Sequence, residues 1–137
     1  MAGIDRPTKD KDFTYSDFTT RLSPHPAQKD IVRLYDAQAV STSIRNLLQT
    51  NRGERLYQPN IGSDIRKILF EPMSDIAAKS LQLYIHETIE QYEPRIKIVD
   101  TMVIANYASD GYDITIYYVL INNSTKYSLN ITLNRAR

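Results

Sequence analysis

Residues Ser43–Pro72, SIRNLLQTNRGERLYQPNIGSDIRKILFEP, decide how this chain folds. The stretch holds two of the four glycines and two of the six prolines, set between two apolar patterns of helical spacing. In the first pattern Val40, Ile44, Leu47 and Leu48 recur every three or four residues, with Ala37 one turn earlier. Gln38, Thr42, Arg45 and Gln49 fall on the opposite side, and Ser41 and Ser43 on an exposed flank. The spacing predicts an amphipathic helix that Asp36 caps and that ends near Thr50. Asn51-Arg52-Gly53 stops it, because glycine takes the left-handed conformation without a Cβ clash.

Pro59 bars any continuation of that helix, so Arg55–Gln58 reads as a short extended segment and Asn60-Ile61-Gly62 as a turn. Ser63 or Asp64 then caps a short second helix ending near Phe70, with Ile65, Ile68 and Leu69 as its apolar stripe. Gly53, Glu54, Arg55, Pro59 and Gly62 are therefore the joints of a rigid two-helix corner, with Glu54 and Arg55 as its clamp.

Downstream, Ser74 caps a longer helix over Asp75–Tyr92. Its stripe is Ala77, Leu81, Tyr84, Ile85, Thr88 and Tyr92, widened by Ile89, and Pro94 stops it. From Ile96 the period changes to two. A first strand over Ile96–Ala105 is apolar enough to be largely covered, and Ser109-Asp110-Gly111 turns the chain. Tyr112, Ile114, Ile116, Tyr118 and Leu120 share one face of a second strand, and Asn122–Lys126 forms another turn. Tyr127, Leu129, Ile131 and Leu133 alternate with Ser128, Asn130, Thr132 and Asn134 in a third. Helices followed by strands give an α+β class, with helices packed on a three-stranded antiparallel meander.

Upstream, Asp30–Tyr35 reads as a short strand that extends the meander. Residues 1–29 lack helical or strand periodicity and form an extended arm, anchored by Phe13, Tyr15 and Phe18 and straightened at Pro24-His25-Pro26. Residues 30–137 make a single α+β domain.

Composition narrows the chemistry. At 137 residues, 42% hydrophobic and 24% charged, the chain can bury a core without staples, and it has no cysteine. A net charge of +1 from well-mixed residues gives no electrostatic footprint for nucleic acid. The N-terminus lacks an apolar signal region and no apolar run is long enough to span a membrane, so neither nucleic acid nor membrane is an expected partner. Ten tyrosines against three phenylalanines suit either sheet propensity or an interface.

Phosphate loops, nucleophile elbows and metal-binding spacings are absent, and His25 and His86 read as structural or solvated. No catalytic residue, metal ligand or cofactor is assigned. Glu54, Glu71 and Glu93 sit at loop or helix ends where a carboxylate pair would have to converge. Glu54 and Glu93 each lie within two residues of an arginine, which favours ion pairing over catalysis. Glu93-Pro94-Arg95 stands out as a rigid corner, which reads either as a local ion pair or as an arginine fork presented to a partner carboxylate. The final strand, at a sheet edge, offers backbone groups to another chain.

The run AVSTSIRNLLQTNRGERLYQPNIGSDIRKILFEP, followed by YEPRI and preceded by YSDF, HP and D in order, resembles the contractile-tail baseplate wedge family. That family includes the small wedge subunit of T-even-type phages and a type VI secretion baseplate component. Ile61 departs from the usual aromatic or leucine before the glycine, and Leu56 from a frequent proline. The resemblance implies a structural, non-enzymatic subunit of the virion tail baseplate, assembled in the host cytoplasm. Its implied partners are the larger baseplate wedge subunits, the tail sheath protein, and the periphery of the tail tube or hub. It assigns the wedge-core contact to Glu93, Pro94 and Arg95. The sheath-docking strand falls on Tyr127, Leu129, Asn130, Ile131, Thr132 and Leu133. On this reading Arg95→Ala keeps the fold and weakens wedge assembly. Some members are labelled lysozyme-like, so the alternative is a peptidoglycan hydrolase using Glu54 or Glu93.

Overall fold

The computed structural model describes residues 14–22, 24, 26–27 and 29–135. The chain forms two compact units, Met1–Val40 and Ser41–Arg137. Phe13 and His25 lie outside the described residues.

In the first unit, β1 (Ser16–Phe18) pairs antiparallel with β2 (Arg33–Tyr35). This corrects two expectations: a strand lies inside the arm, and the short strand near 30–35 belongs to a separate two-stranded sheet instead of extending the meander. The physical reason is local. Asp36 does not spend its carboxylate on a helix cap; Oδ1 accepts from the backbone N–H of Thr14 at 2.9 Å and of Tyr15 at 3.1 Å. Its own N–H donates to the Tyr15 carbonyl at 2.8 Å. Asp36 sits at φ 43°, a left-handed conformation that aspartate tolerates better than most residues. A three-residue strand leaves no period to read, so only this clasp reveals it.

Helix α1 (Asp36–Gln49) runs from the first unit into the second. The second unit continues with α2 (Ile65–Leu69), α3 (Asp75–Tyr92), β3 (Ile96–Asn106), β4 (Gly111–Leu120) and β5 (Asn123–Asn134). The three strands form an antiparallel sheet in the order β3-β4-β5, so the expected α+β class and meander are present. Ser74 caps α3 by accepting from the Ala77 N–H at 3.0 Å. Ile44, Leu47 and Leu48 of α1, Ile65, Ile68 and Leu69 of α2, and Leu81, Ile85 and Ile89 of α3 are buried. So are Tyr112, Ile114, Ile116, Tyr118 and Leu120 of β4, with Leu129 and Ile131 of β5. Tyr84, placed on the α3 stripe by spacing, is exposed, and Ala78 is buried instead.

The sheet departs from the sequence reading at both edges. β3 is an edge strand, and a register shift between Ile98 and Asp100 leaves Val99, Met102 and Ile104 exposed where a covered strand was expected. β5 begins at Asn123, so the turn is shorter than Asn122–Lys126, and a second register shift lies beside Leu120. At Thr101 the backbone N–H donates to Asp100 Oδ1 at 2.8 Å, and the carbonyl accepts from Gln82 Nε2 at 2.6 Å. Thr101 therefore points both backbone groups away from β4, and alternation extends this to Val103 and Ala105. Carried across the register, Leu129 and Ile131 bond β4, while Asn130 and Thr132 present their backbone groups to the opposite free edge.

The corner between α1 and α2 is built from close backbone contacts. Ser63 N–H donates to the Thr50 carbonyl at 2.9 Å, and its hydroxyl, buried, donates to the Leu48 carbonyl at 2.7 Å. Ser63 thus staples two helices together. Asp64 holds the N-cap position of α2 without a side-chain cap bond, and its carboxylate pairs with Arg52 at 3.4 Å and Lys67 at 2.9 Å. Gly62 has φ 142°, and a Cβ there would lie 2.7–2.8 Å from the backbone of Thr50 and Asn51. Gly53, at φ 85°, faces open space. Gly53→Ala is therefore expected to cost about 1–2 kcal/mol, the left-handed penalty alone. Gly62→Ala adds a backbone clash and is expected to cost more than about 3 kcal/mol. Urea unfolding of the two variants checks the ranking.

Candidate functional site

Three elements converge on one carboxylate. Glu93 is the C-cap of α3, its N–H donating to the Ile89 carbonyl at 2.8 Å, and Pro94 prevents another helical turn. The chain leaves through Arg95 into β3, where the Arg95 carbonyl accepts from the Ile121 N–H at 3.1 Å. That exit turns Arg95 back onto Glu93: Nε donates to Oε1 at 2.6 Å and Nη2 to Oε2 at 2.7 Å. From α1, the Ser43 hydroxyl donates to Oε2 at 2.8 Å. The Glu93 side chain is 4% exposed and that of Arg95 31%.

Burial pushes the Glu93 carboxyl upward and is the largest single influence. The hydrogen bonds from Arg95 and Ser43 and the positive charge of Arg95 together outweigh it, and the group stays below the ordinary carboxylate range. A glutamate held ionised inside the fold cannot donate a proton as a general acid. Arg95 spends its fork on Glu93, so the local ion pair is present and is buried. Removing Arg95 alone leaves an uncompensated interior charge, at a cost of about 3–5 kcal/mol. Arg95→Ala is therefore a folding variant as well as a surface variant, contrary to the reading from sequence.

Glu54 has an equally local role: its carboxylate accepts from the Asn51 N–H at 2.9 Å, and its own N–H donates to the Asn51 carbonyl at 3.2 Å. Gly53 N–H donates to the Pro59 carbonyl at 2.8 Å, closing the same loop. Arg55 makes no hydrogen bond or ion pair among the described residues. Leu56 and Tyr57 are 93% and 97% exposed in bends, not in the extended segment expected. The Tyr92 hydroxyl donates to the Asn60 carbonyl at 2.5 Å and ties this loop to the end of α3. Glu71 is exposed, and His86 lies on the surface with Nδ1 3.6 Å from Glu90. Among the described residues no group of three or more His, Asp or Glu could hold a metal ion.

In the arm, Tyr15 is half-buried and Phe18 exposed. In β5, Leu129 and Ile131 are buried, Tyr127 and Leu133 half-buried, and Asn130 and Thr132 exposed. Ser41 and Ser43 correct the sequence reading. Both are half-buried, with Ser41 Oγ 2.7 Å from the Tyr118 hydroxyl. Their spacing from Ile44, Leu48, Val40 and Leu47 already carries that signal, since residues three, four and seven apart share a helical face.

The model of the family described as baseplate wedge protein gp25 matches residues 35–125, a span that includes the corner, the glutamate clamp and most of the sheet. This chain belongs to that family. It is a baseplate wedge subunit, a component of phage or phage-like contractile tails. It is 28% identical over 95 residues to the baseplate wedge protein gp25 of Enterobacteria phage T4, covering 69% of this chain and 72% of that one. A Geobacter sulfurreducens crystal structure bearing a tail-lysozyme designation shares the fold, with TM-score 0.67 at 24% identity, over 72% of this chain and 89% of that one. A chain of the anti-feeding prophage baseplate shares it with TM-score 0.62 at 18% identity, over 90% of this chain and 87% of that one. At those identities the likeness concerns fold and carries no activity.

The Glu93–Arg95–Ser43 cluster has a pH signature. Because folding lowers the Glu93 pKa, its stabilisation is present above the unfolded value and is lost as pH falls through the folded one. Wild-type stability should therefore drop below about pH 4.3 more steeply than that of Glu93→Gln. Thermal unfolding across pH 2.5–7 (roughly the carboxylate titration range) measures the difference in slope.

Proposed function

We propose that the Glu93-Pro94-Arg95 corner is the surface by which this wedge subunit bundles with the larger wedge subunits, and that the β5 edge receives a sheath strand to start the first sheath ring. The carrying observation is that Arg95 is fixed through two bonds to Glu93 while about a third of its side chain stays exposed. A planar group held in place before binding loses little rotamer freedom on docking. The carboxylate neutralises its charge, so recognition rests on shape and hydrogen bonding more than on long-range attraction.

Asn130 and Thr132 supply the outward backbone groups of β5 that strand addition needs. The tail tube or hub periphery is a further neighbour within the same assembly. The subunit is assembled in the host cytoplasm and performs no catalysis. Support for that last point is that Glu93 is committed to Arg95 and Glu54 to the Asn51 turn.

Arg95→Lys keeps the charge and removes the fork, so it should fold and lose copurification with the larger wedge subunit by about tenfold. Wild-type copurification overturns the wedge contact. Asn130→Pro removes one edge donor without breaking a β4–β5 bond and should block sheath initiation on baseplates that still contain the subunit. Unchanged sheath growth rules out the β5 edge.

A further inference from the structure

The loop between α1 and α2 ends in an apolar tip that the rest of the unit leaves in solvent. Leu56 and Tyr57 are 93% and 97% exposed, so folding gains almost nothing from them. Arg55, one residue earlier, is also exposed and makes no hydrogen bond or ion pair among the described residues. The adjacent carboxylate, that of Glu54, is bonded to the Asn51 N–H. The tip is nevertheless held in place. Gly53 N–H donates to the Pro59 carbonyl at 2.8 Å and Ile61 N–H to the Gln58 carbonyl at 3.1 Å, closing the loop beneath Leu56 and Tyr57. The Tyr92 hydroxyl bonds the Asn60 carbonyl, and Tyr92 directly precedes Glu93. The loop is thus tied to the same end of α3 that carries the Glu93-Pro94-Arg95 corner.

We propose that Leu56 and Tyr57 are the apolar anchor of the wedge contact, entering a pocket of the larger wedge subunit whose rim carries a carboxylate for Arg55. This rests on the reading that the larger subunit docks at this end of α3, and it names the residues that supply the affinity. Arg95 is neutralised by Glu93 and only 31% exposed, so it orients a partner more than it holds one. Tyrosine and arginine are among the side chains whose truncation weakens interfaces most, and a loop already closed by hydrogen bonds loses little freedom on docking. The occupant is an unlike chain. A symmetric contact with a second copy sets the same protruding tip against itself, with Arg55 beside Arg55.

The chain has no cysteine, so Gln58→Cys places a single thiol beside the anchor and leaves Leu56 and Tyr57 intact. Maleimide alkylation of that thiol, followed by mass on the peptide containing residue 58, compares the free chain with its purified complex with the larger wedge subunit. Alkylation should be slower by about tenfold or more in the complex, because a seated anchor excludes solvent and reagent. Equal rates overturn the proposal.

Affinity provides the second arm. Tyr57→Ser should weaken binding to that subunit by about thirtyfold at an unchanged melting temperature, and Tyr57→Phe should retain most of it. Arg55→Glu should weaken it too, by a factor that shrinks as salt is raised. Loss in Tyr57→Ser beside wild-type affinity in Arg95→Lys supports the anchor and removes the Arg95 contact. The reverse pattern keeps the Arg95 contact and rejects the anchor. Self-association of the isolated chain, or its capture by anionic lipid vesicles, overturns the assigned occupant if Tyr57→Ser abolishes it while leaving wedge binding unchanged.

Discussion

The fold of the second unit depends on one ionised carboxylate in its interior. Glu93 joins the end of α3, the start of β3 and the middle of α1 through Arg95 and Ser43. Burying that charge opposes folding, and the hydrogen bonds from Arg95 and Ser43 together with the charge of Arg95 outweigh the penalty. The direction in which the strand leaves the helix and the pairing of the glutamate are therefore coupled. Pro94 helps by removing the competing conformation, a continued helix, so that the ion pair selects among fewer alternatives.

A second constraint is steric, not electrostatic. Gly62 brings the chain against the backbone of Thr50 and Asn51 more closely than any side chain allows, and Ser63 then bonds the last turn of α1. This explains why α2 is only Ile65–Leu69. Its position is fixed by contacts at its start and by three buried aliphatic residues, so it does not need the length that makes a helix stable by itself. Glu54 and the Pro59 carbonyl complete the loop with local hydrogen bonds, and the exposed tip at Leu56 and Tyr57 adds nothing to the core.

Much of this was legible in the sequence, and the boundary of legibility is physical. Long periodic patterns were readable because burial follows period: the inward face of β4 and the Ser74 cap are both where spacing puts them. The β1–β2 pair was not, because three-residue strands have no period and Asp36 diverts its carboxylate to backbone groups more than twenty residues away in sequence. Val99, Met102 and Ile104 misled for another reason. Apolar composition tells how much surface a strand offers, but it cannot say whether that surface is covered within the same chain. In the site, Glu93 and Arg95 were recognisable as neighbours, whereas Ser43 required knowing which helical face meets the end of α3. The tyrosines divide in the same way, with Tyr112 and Tyr118 fully buried in the sheet and Tyr57 and Tyr107 exposed.

A three-stranded sheet with two open edges is at risk of pairing with itself, and the two edges meet that risk differently. β5 alternates buried aliphatic residues with Ser128, Asn130 and Thr132, so its outer face is polar and its edge is accessible only to a strand that tolerates that polarity. On β3 the outer face is apolar, and protection comes from elsewhere: a register shift at Val99, side-chain caps on Thr101, and α3 standing beside the strand.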